Sequence, residues 1–181
     1  TAIAGHRRQS GGSWDITKLL GPVQRTCFYL HLILDIFSRR VVGWMVVERE
    51  SAELAQRLIG RTCRKQNIAP DQLTIHADRG TSMTSKPVAL LSADPSVTKS
   101  HRRPHVSDDN LFSESQFKTL KCQSEFPERF GSLQDARGFC QVFFPWYNTE
   151  HHHTGIGLLT PEVLHHHRAD DLIGQRQVVP S

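Results

Sequence analysis

Apolar and polar positions alternate over short stretches in the first part of the chain and shift to helical spacing further on. Trp14, Ile16 and Leu19 mark a first strand that begins near Ser13. Phe28 to Ile36 and Val41 to Val47 are β-rich runs, and the intervening Phe37-Ser38-Arg39-Arg40 is a hairpin signal. Asp35, at that turn, suits a turn-stabilising role. Ser51 stands where it can cap a helix whose Leu54, Ala55, Leu58 and Ile59 form one apolar stripe. Pro70 ends that connection, and Leu73 to Ala77 reads as a short buried strand stopping at Asp78. A helix around Pro87–Asp94 and a short strand around Ser96–Ser100 follow. His101 to Asn110 is polar and turn-rich, which predicts a loop before a helix that starts near Ser113. Asn110 could support the site, but a cap for that helix is the preferred reading. Ser132 followed by Asp135 resembles a capping box and turns Leu133, Ala136, Cys140 and Phe143 inward. Pro145 predicts a kink or an end to that helix, because proline removes a backbone donor. Thr160-Pro161-Glu162 is a helix start. Trp14, Trp44 and Trp146 read as core.

Three strands, a helix, a strand and further helices describe an α/β sandwich built on a mixed sheet. In that layout Asp15 lies on the first strand, Asp78 at the carboxyl end of a central strand, and Glu114 at the start of a helix packed alongside. Residues 1–12 lack apolar periodicity and read as the flexible stub of a linker from an upstream region. Residues 13–167 form the core, and 168–181 a C-terminal tail.

Composition narrows the picture without deciding it. The 181 residues are 38% apolar and 22% charged, as in a soluble globular domain. No apolar run approaches the roughly 20 residues that span a bilayer, and no secretory signal opens the chain, so a cytoplasmic protein with no membrane partner is expected. The four cysteines, Cys27, Cys63, Cys122 and Cys140, form no C-x-x-C pair and read as reduced thiols. A net charge of +4 with 11 histidines permits a polyanionic partner without requiring one.

The candidate chemistry rests on three acids, Asp15, Asp78 and Glu114. Their spacing is weak evidence, since 18 acids placed at random give about 1.4 pairs at the Asp78–Glu114 separation. Their surroundings say more. Phosphodiester chemistry uses two divalent metals about 3.5–4 Å apart to clamp the attacking and leaving oxygens. Mg²⁺ or Mn²⁺ favours carboxylate oxygens and retained waters. Carboxylates about 4 Å apart repel by roughly 4 kcal/mol at an effective dielectric near 20, so a cluster of three recruits cations. Lys118 and Lys121 follow Glu114 at i+4 and i+7, within about 40° of it around the helix. One helix face therefore offers a metal ligand and two phosphate-seeking ammonium groups. Asp108 and Asp109 compete for the third ligand position from a less rigid setting. His76 and Arg79 flank Asp78, where they could orient it or the substrate.

Several motifs in order carry a family resemblance. Trp14-Asp15-Ile16-Thr17, Leu34-Asp35-Ile36-Phe37-Ser38-Arg39 with Val42-Gly43-Trp44, and His76-Ala77-Asp78-Arg79-Gly80 resemble the integrase-core transposases of bacterial insertion sequences. So do Asp109-Asn110 with Glu114 and Phe117-Lys118, then Trp146-Tyr147-Asn148 and Thr160-Pro161. The resemblance runs from about residue 13 to 165. It implies a ribonuclease-H-like fold with a mixed five-stranded sheet flanked by helices, and a D-D-35-E triad of Asp15, Asp78 and Glu114. It also implies two Mg²⁺ or Mn²⁺ ions, nicking of an element end, and transfer of the exposed 3′-hydroxyl to another phosphodiester. DNA would be contacted by Lys118 and Lys121, with Arg102 and Arg103 adding charge before Glu114. Partners implied are element ends and target DNA, further copies of the chain in a synaptic complex, and an upstream helix-turn-helix region absent here. Leu111, Ala77, Pro145 and the Arg102-Arg103 pair depart from the family's usual residues.

Glu150-His151-His152-His153 and His165-His166-His167 invite a zinc reading, but neighbouring side chains diverge and no finger or H-E-x-x-H spacing occurs. They read as solvated histidines, some near DNA phosphates. Two other functions remain open: an impaired remnant that only binds DNA or other transposase chains, and a ribonuclease-H-like nuclease that cuts without joining.

Overall fold

The alternating segments become a sheet in the computed structural model, which describes residues 10–66, 73–77, 98–99 and 109–166. β1 (Ser10–Leu20), β2 (Cys27–Asp35) and β3 (Val41–Val47) form an antiparallel meander. β4 (Leu73–Ala77) pairs in parallel with the other side of β1, and β5 (Thr98–Lys99) in parallel with β4. The resulting mixed five-stranded sheet has the order β3-β2-β1-β4-β5. β1 starts three residues earlier than the apolar pattern indicates, because Ser10, Gly11 and Gly12 pair with Leu73, Thr74 and Ile75 through backbone alone. The part of the expected linker stub that is described is therefore strand. The expected helix around Pro87–Asp94 lies outside the described residues.

Side chains along β1, β2 and β3 alternate between two apolar layers. Leu30, Leu32 and Leu34 face α2 (Asp109–Lys121) and α3 (Leu133–Thr149), where Phe117, Leu120, Ala136, Cys140, Phe143, Phe144 and Tyr147 join them. Ile33 and Trp14 face the other way, onto Ala55, Leu58 and Ile59 of α1 (Ala52–Lys65). Leucines buried this completely contribute about 2 kcal/mol each. Gly43 lets α1 approach the sheet closely, since a Cβ there would overlap the Thr62 hydroxyl. His31 is buried in the α1 layer and stacks on Trp14 with ring centroids 5.9 Å apart. Neither of its ring nitrogens has a hydrogen-bond partner among the described residues, and burial pushes its pKa down to about 4.

Three expectations need correction. α2 begins at Asp109, so the predicted loop ends earlier and Asn110 is the helix's second residue, not its cap. α3 starts at the Ser132 cap as read, with the Ser132 hydroxyl accepting the Asp135 N–H at 3.1 Å, but it runs through Pro145 to Thr149. Its last turn is held from outside. The Asn148 Oδ1 accepts the Val41 N–H at 2.9 Å while its Nδ2 donates to the Val41 carbonyl at 3.0 Å. Tyr147 is fully buried beside it. These contacts outweigh the one ladder bond that proline deletes. Trp146, expected in the core, is 38% exposed.

β3 is an edge strand, and several of its outward groups are occupied. Besides Val41, the Trp44 carbonyl accepts from Arg61 of α1 and the Val46 carbonyl from Arg137 of α3, each at 3.1 Å. A 3₁₀ turn at Thr154–Ile156 leads to α4 (Pro161–His165), which packs on α3. Among the described residues no helix is long and apolar enough to cross a membrane.

Candidate active site

Asp15 sits mid-strand on β1, opposite Leu32 of β2. The alternation places it with Ser13, Thr17 and Leu19 on the face covered by α2 and α3. Its carboxylate is half-buried, and Oδ1 accepts the Ile16 N–H at 2.7 Å. β4 runs parallel alongside, and the last pair in their register is Trp14 with Ala77. These two residues immediately precede Asp15 and Asp78. Asp78 and Arg79 lie outside the described residues; His76 is placed on β4 opposite Ser13.

α2 supplies the third acid. Phe117 and Leu120 sink its inner side into the core, with exposures of 8% and 0%. Its outer side carries Glu114, Lys118 and Lys121, all exposed. Lys121 Nζ donates to Thr17 Oγ1 at 2.9 Å, which fixes the end of α2 on the same strand face as Asp15 and two residues along from it. Glu114 stands two turns back, about 10.5 Å along the axis, on the same helix line. Thr17 was not singled out in the sequence, although it belongs to the Trp14-Asp15-Ile16-Thr17 motif. Gln116 was missed as well. It is fully buried under α2, and neither amide atom has a partner among the described residues. Asn110 lies in the first turn of α2. Arg102 and Arg103 lie outside the described residues.

The donors Asp15 and Glu114 offer are carboxylate oxygens, the set that suits Mg²⁺ or Mn²⁺. Among the described residues no group of three His, Cys, Asp or Glu side chains could hold a metal ion. The candidate triad needs Asp78, which is not one of them.

The described histidines of the two runs are not simply solvated. Tyr147 Oη and His153 Nε2 are 2.6 Å apart, and His151 stacks on Tyr147 at 5.4 Å. Burial, reinforced by the charges of His151 and Arg39, pushes the His153 pKa down to about 4. His165 reaches back to the β2–β3 hairpin, with Nδ1 3.3 Å from Asp35 Oδ2 and Nε2 3.1 Å from Gln66 Oε1. Asp35 also accepts the Ser38 N–H at 3.1 Å and the Ser38 hydroxyl, as its turn role requires. Burial works against its carboxylate, but the bonds from His165 and Ser38 outweigh it and hold the pKa below the ordinary range. Arg40 Nε meets Glu162 Oε2 at 2.6 Å and completes the clasp between hairpin and α4.

The comparisons agree with this geometry. A family model described as integrase core domain matches residues 6–107, and a second model with the same description matches 96–161. The transposase for insertion sequence element IS904 of Lactococcus lactis subsp. lactis (strain IL1403) is 28% identical over 145 residues, covering 78% of this chain and 56% of that protein. Transposase InsF for insertion sequence IS3A of Escherichia coli (strain K12) is 29% identical over 139 residues, covering 74% of this chain and 46% of that protein. The chain thus spans about half the length of the curated relatives it matches. Among solved structures, the HTLV-2 integrase catalytic core domain in complex with magnesium superposes with a TM-score of 0.55 at 14% identity, over 87% of this chain and 97% of that one. The catalytic domain of Mos1 mariner transposase gives 0.51 at 14% identity, over 76% of this chain and 70% of that one. Those likenesses establish the ribonuclease-H-like fold.

Proposed function

Because the chain belongs to the integrase core domain family, we propose that it is the catalytic core of an insertion-sequence transposase, which nicks a DNA end and joins it to another strand. The observation that carries this reading is the Lys121–Thr17 bond. It pins the helix bearing Glu114 to the strand face bearing Asp15.

Asp15, Asp78 and Glu114 would hold two Mg²⁺ or Mn²⁺ ions. When bound, these supply an activated oxygen nucleophile and Lewis-acid stabilisation of the attacked phosphate. Glu114 does its part from a helix face open to solvent and to DNA. Lys118 and Lys121 follow it along that face and grip the sugar–phosphate backbone. Lys121 spends one N–H on Thr17 and keeps two for phosphate oxygens. His76 and Arg79 orient Asp78, and Arg102 and Arg103 add charge where the DNA enters. Asn110, in the first turn of α2, buttresses Glu114. The remaining length of the relatives leaves room for a helix-turn-helix region that recognises element ends. The HTLV-2 core is described in a dimeric form, and we infer a comparable assembly of this chain around paired DNA ends in the cytoplasm.

A labelled element end incubated with the chain and Mg²⁺ or Mn²⁺ tests the proposal. Nicked and joined products are expected, and Asp78→Asn or Glu114→Gln should lower their yield more than about 100-fold. Mn²⁺ should raise the melting temperature of the parent chain but not of Asp15→Asn. Cutting without joining would make the protein a plain nuclease, and equal cutting by the variants would remove the triad assignment.

A further inference from the structure

Helix α1 carries a second basic surface, on the face of the sheet away from Asp15 and α2. Arg57, Arg61 and Arg64 recur at i, i+4 and i+7, within an arc of about 60° and over about 10.5 Å of helix axis. All three are exposed, with Lys65 beside them. They line a groove of about 610 Å³ in which Glu53 is the one acid among the described residues.

The arginines are arranged to receive a ligand. Arg61 is oriented by its bond to the Trp44 carbonyl and keeps further N–H donors free. Arg57 pairs with Glu53 at 3.0 Å, but both side chains are more than 70% exposed, so a phosphate can displace the pair readily. Gly60 lies between the arginines although glycine weakens a helix interior. Packing does not require it, since a Cβ there would meet only Arg64 Nη1, at an ordinary 3.7 Å. Its missing side chain keeps the groove open beside Arg64.

We propose that this arginine stripe is a second nucleic-acid surface that binds the sugar–phosphate backbone of duplex DNA, so that one chain holds a DNA segment on each face of its sheet. Favourable charge at a helix C-terminus accounts for Arg64 and Lys65 in the last turn, but not for Arg57, Arg61 or Gly60. An extended acidic peptide is the poorer fit, because the adjacent edge carbonyls of Trp44 and Val46 are already occupied and offer it no strand to join. Guanidinium forks match phosphate oxygens in pairs.

The choice of DNA rests on the transposase reading, and the test separates the two. Binding of the chain to a labelled duplex of arbitrary sequence is followed by fluorescence anisotropy between about 50 and 200 mM salt. In a Lys118→Gln/Lys121→Gln background, where the α1 stripe carries the binding, the Arg57→Gln/Arg64→Gln variant, which keeps Arg61 and its bond, should lower the slope of log K against log salt by about 1.8. Arg57→Lys/Arg64→Lys in the same background should keep its slope. A catalytically dead chain would sink the transposase reading and leave these slopes as expected. An unchanged slope in the glutamine variant overturns the proposal. So does polyglutamate binding, lost in that variant, by a chain that does not bind duplex through α1. So does dissociation of a dimer by the α1 changes with DNA binding intact.

Discussion

Asn148 under α3 and Gln116 under α2 are both buried amides on the same face of the sheet, yet only Asn148 uses both ends. It closes a pair of hydrogen bonds on the Val41 backbone, while Gln116 meets no partner among the described residues. The surroundings follow the same division. The α3 side is tied to the β2–β3 hairpin by Asn148, Arg137, the Arg40–Glu162 pair and His165. Among the described residues, α2 is held by Phe117 and Leu120 and by an exposed bond from Lys121 to Thr17. The frame of the domain is thus clasped by paired polar groups. The helix with the third acid is seated mainly by apolar burial, which leaves Glu114 and Lys118 on its charged face exposed.

Replacing Asn148 by Leu should produce the largest loss of stability, about 3 kcal/mol, because it strands the Val41 N–H and carbonyl in the core. Denaturant midpoints would fall with the slope m unchanged. His31 extends the contrast to the other face as a second buried polar group without a partner. Its folded pKa of about 4 lies below the ordinary 6.5, so the unfolded chain binds the extra proton between those values. Stability should therefore drop as pH falls from 6.5 towards 4, by on the order of 3 kcal/mol. His31→Leu should remove that share of the dependence without loss at neutral pH, leaving the share of His153, whose pKa is also pushed down to about 4; an equally steep curve would place the titrating group elsewhere.

Glu162→Gln weakens the clasp more modestly, by about 1 kcal/mol at pH 7. Burial opposes the Glu162 carboxylate, but Arg40 and His166 outweigh it and hold its pKa low. Its contribution is present above the ordinary carboxylate pKa and disappears in acid, so the two melting curves should converge below about pH 4. The smallest change is expected for Gln116→Leu, within about 0.5 kcal/mol of the parent or slightly more stable, because no bond among the described residues is lost. A cost as large as that of Asn148→Leu would erase the comparison.

The residues legible in advance were those whose signal is local. Strand alternation, the Asp35 turn, the α1 stripe, and the Ser132 cap with Ala136, Cys140 and Phe143 inward all rest on neighbours a few positions apart. Asp15 was placed on its strand and Glu114 on its helix for the same reason. What escaped depends on partners far along the chain. Asn148 meets Val41 across 107 positions and Lys121 meets Thr17 across 104, and no periodicity announces either pairing. Pro145 was misread because the propensity of one residue lost to the tertiary anchoring of Tyr147 and Asn148. The histidines looked solvated because Asp35, which engages His165, lies 130 positions away. The early start of α2 escaped because the preceding stretch is mostly polar and turn-rich.

The occupied rim of β3 has a consequence for how copies of this chain can meet. With the Val41 N–H and carbonyl and the Trp44 and Val46 carbonyls engaged by Asn148, Arg61 and Arg137, an incoming strand would have to displace three side chains before gaining a ladder. That side of the molecule is closed to sheet-to-sheet growth, the route by which exposed edges aggregate or swap. Assembly there must run through helix surfaces, where contacts between side chains can form and dissolve without a ladder being broken.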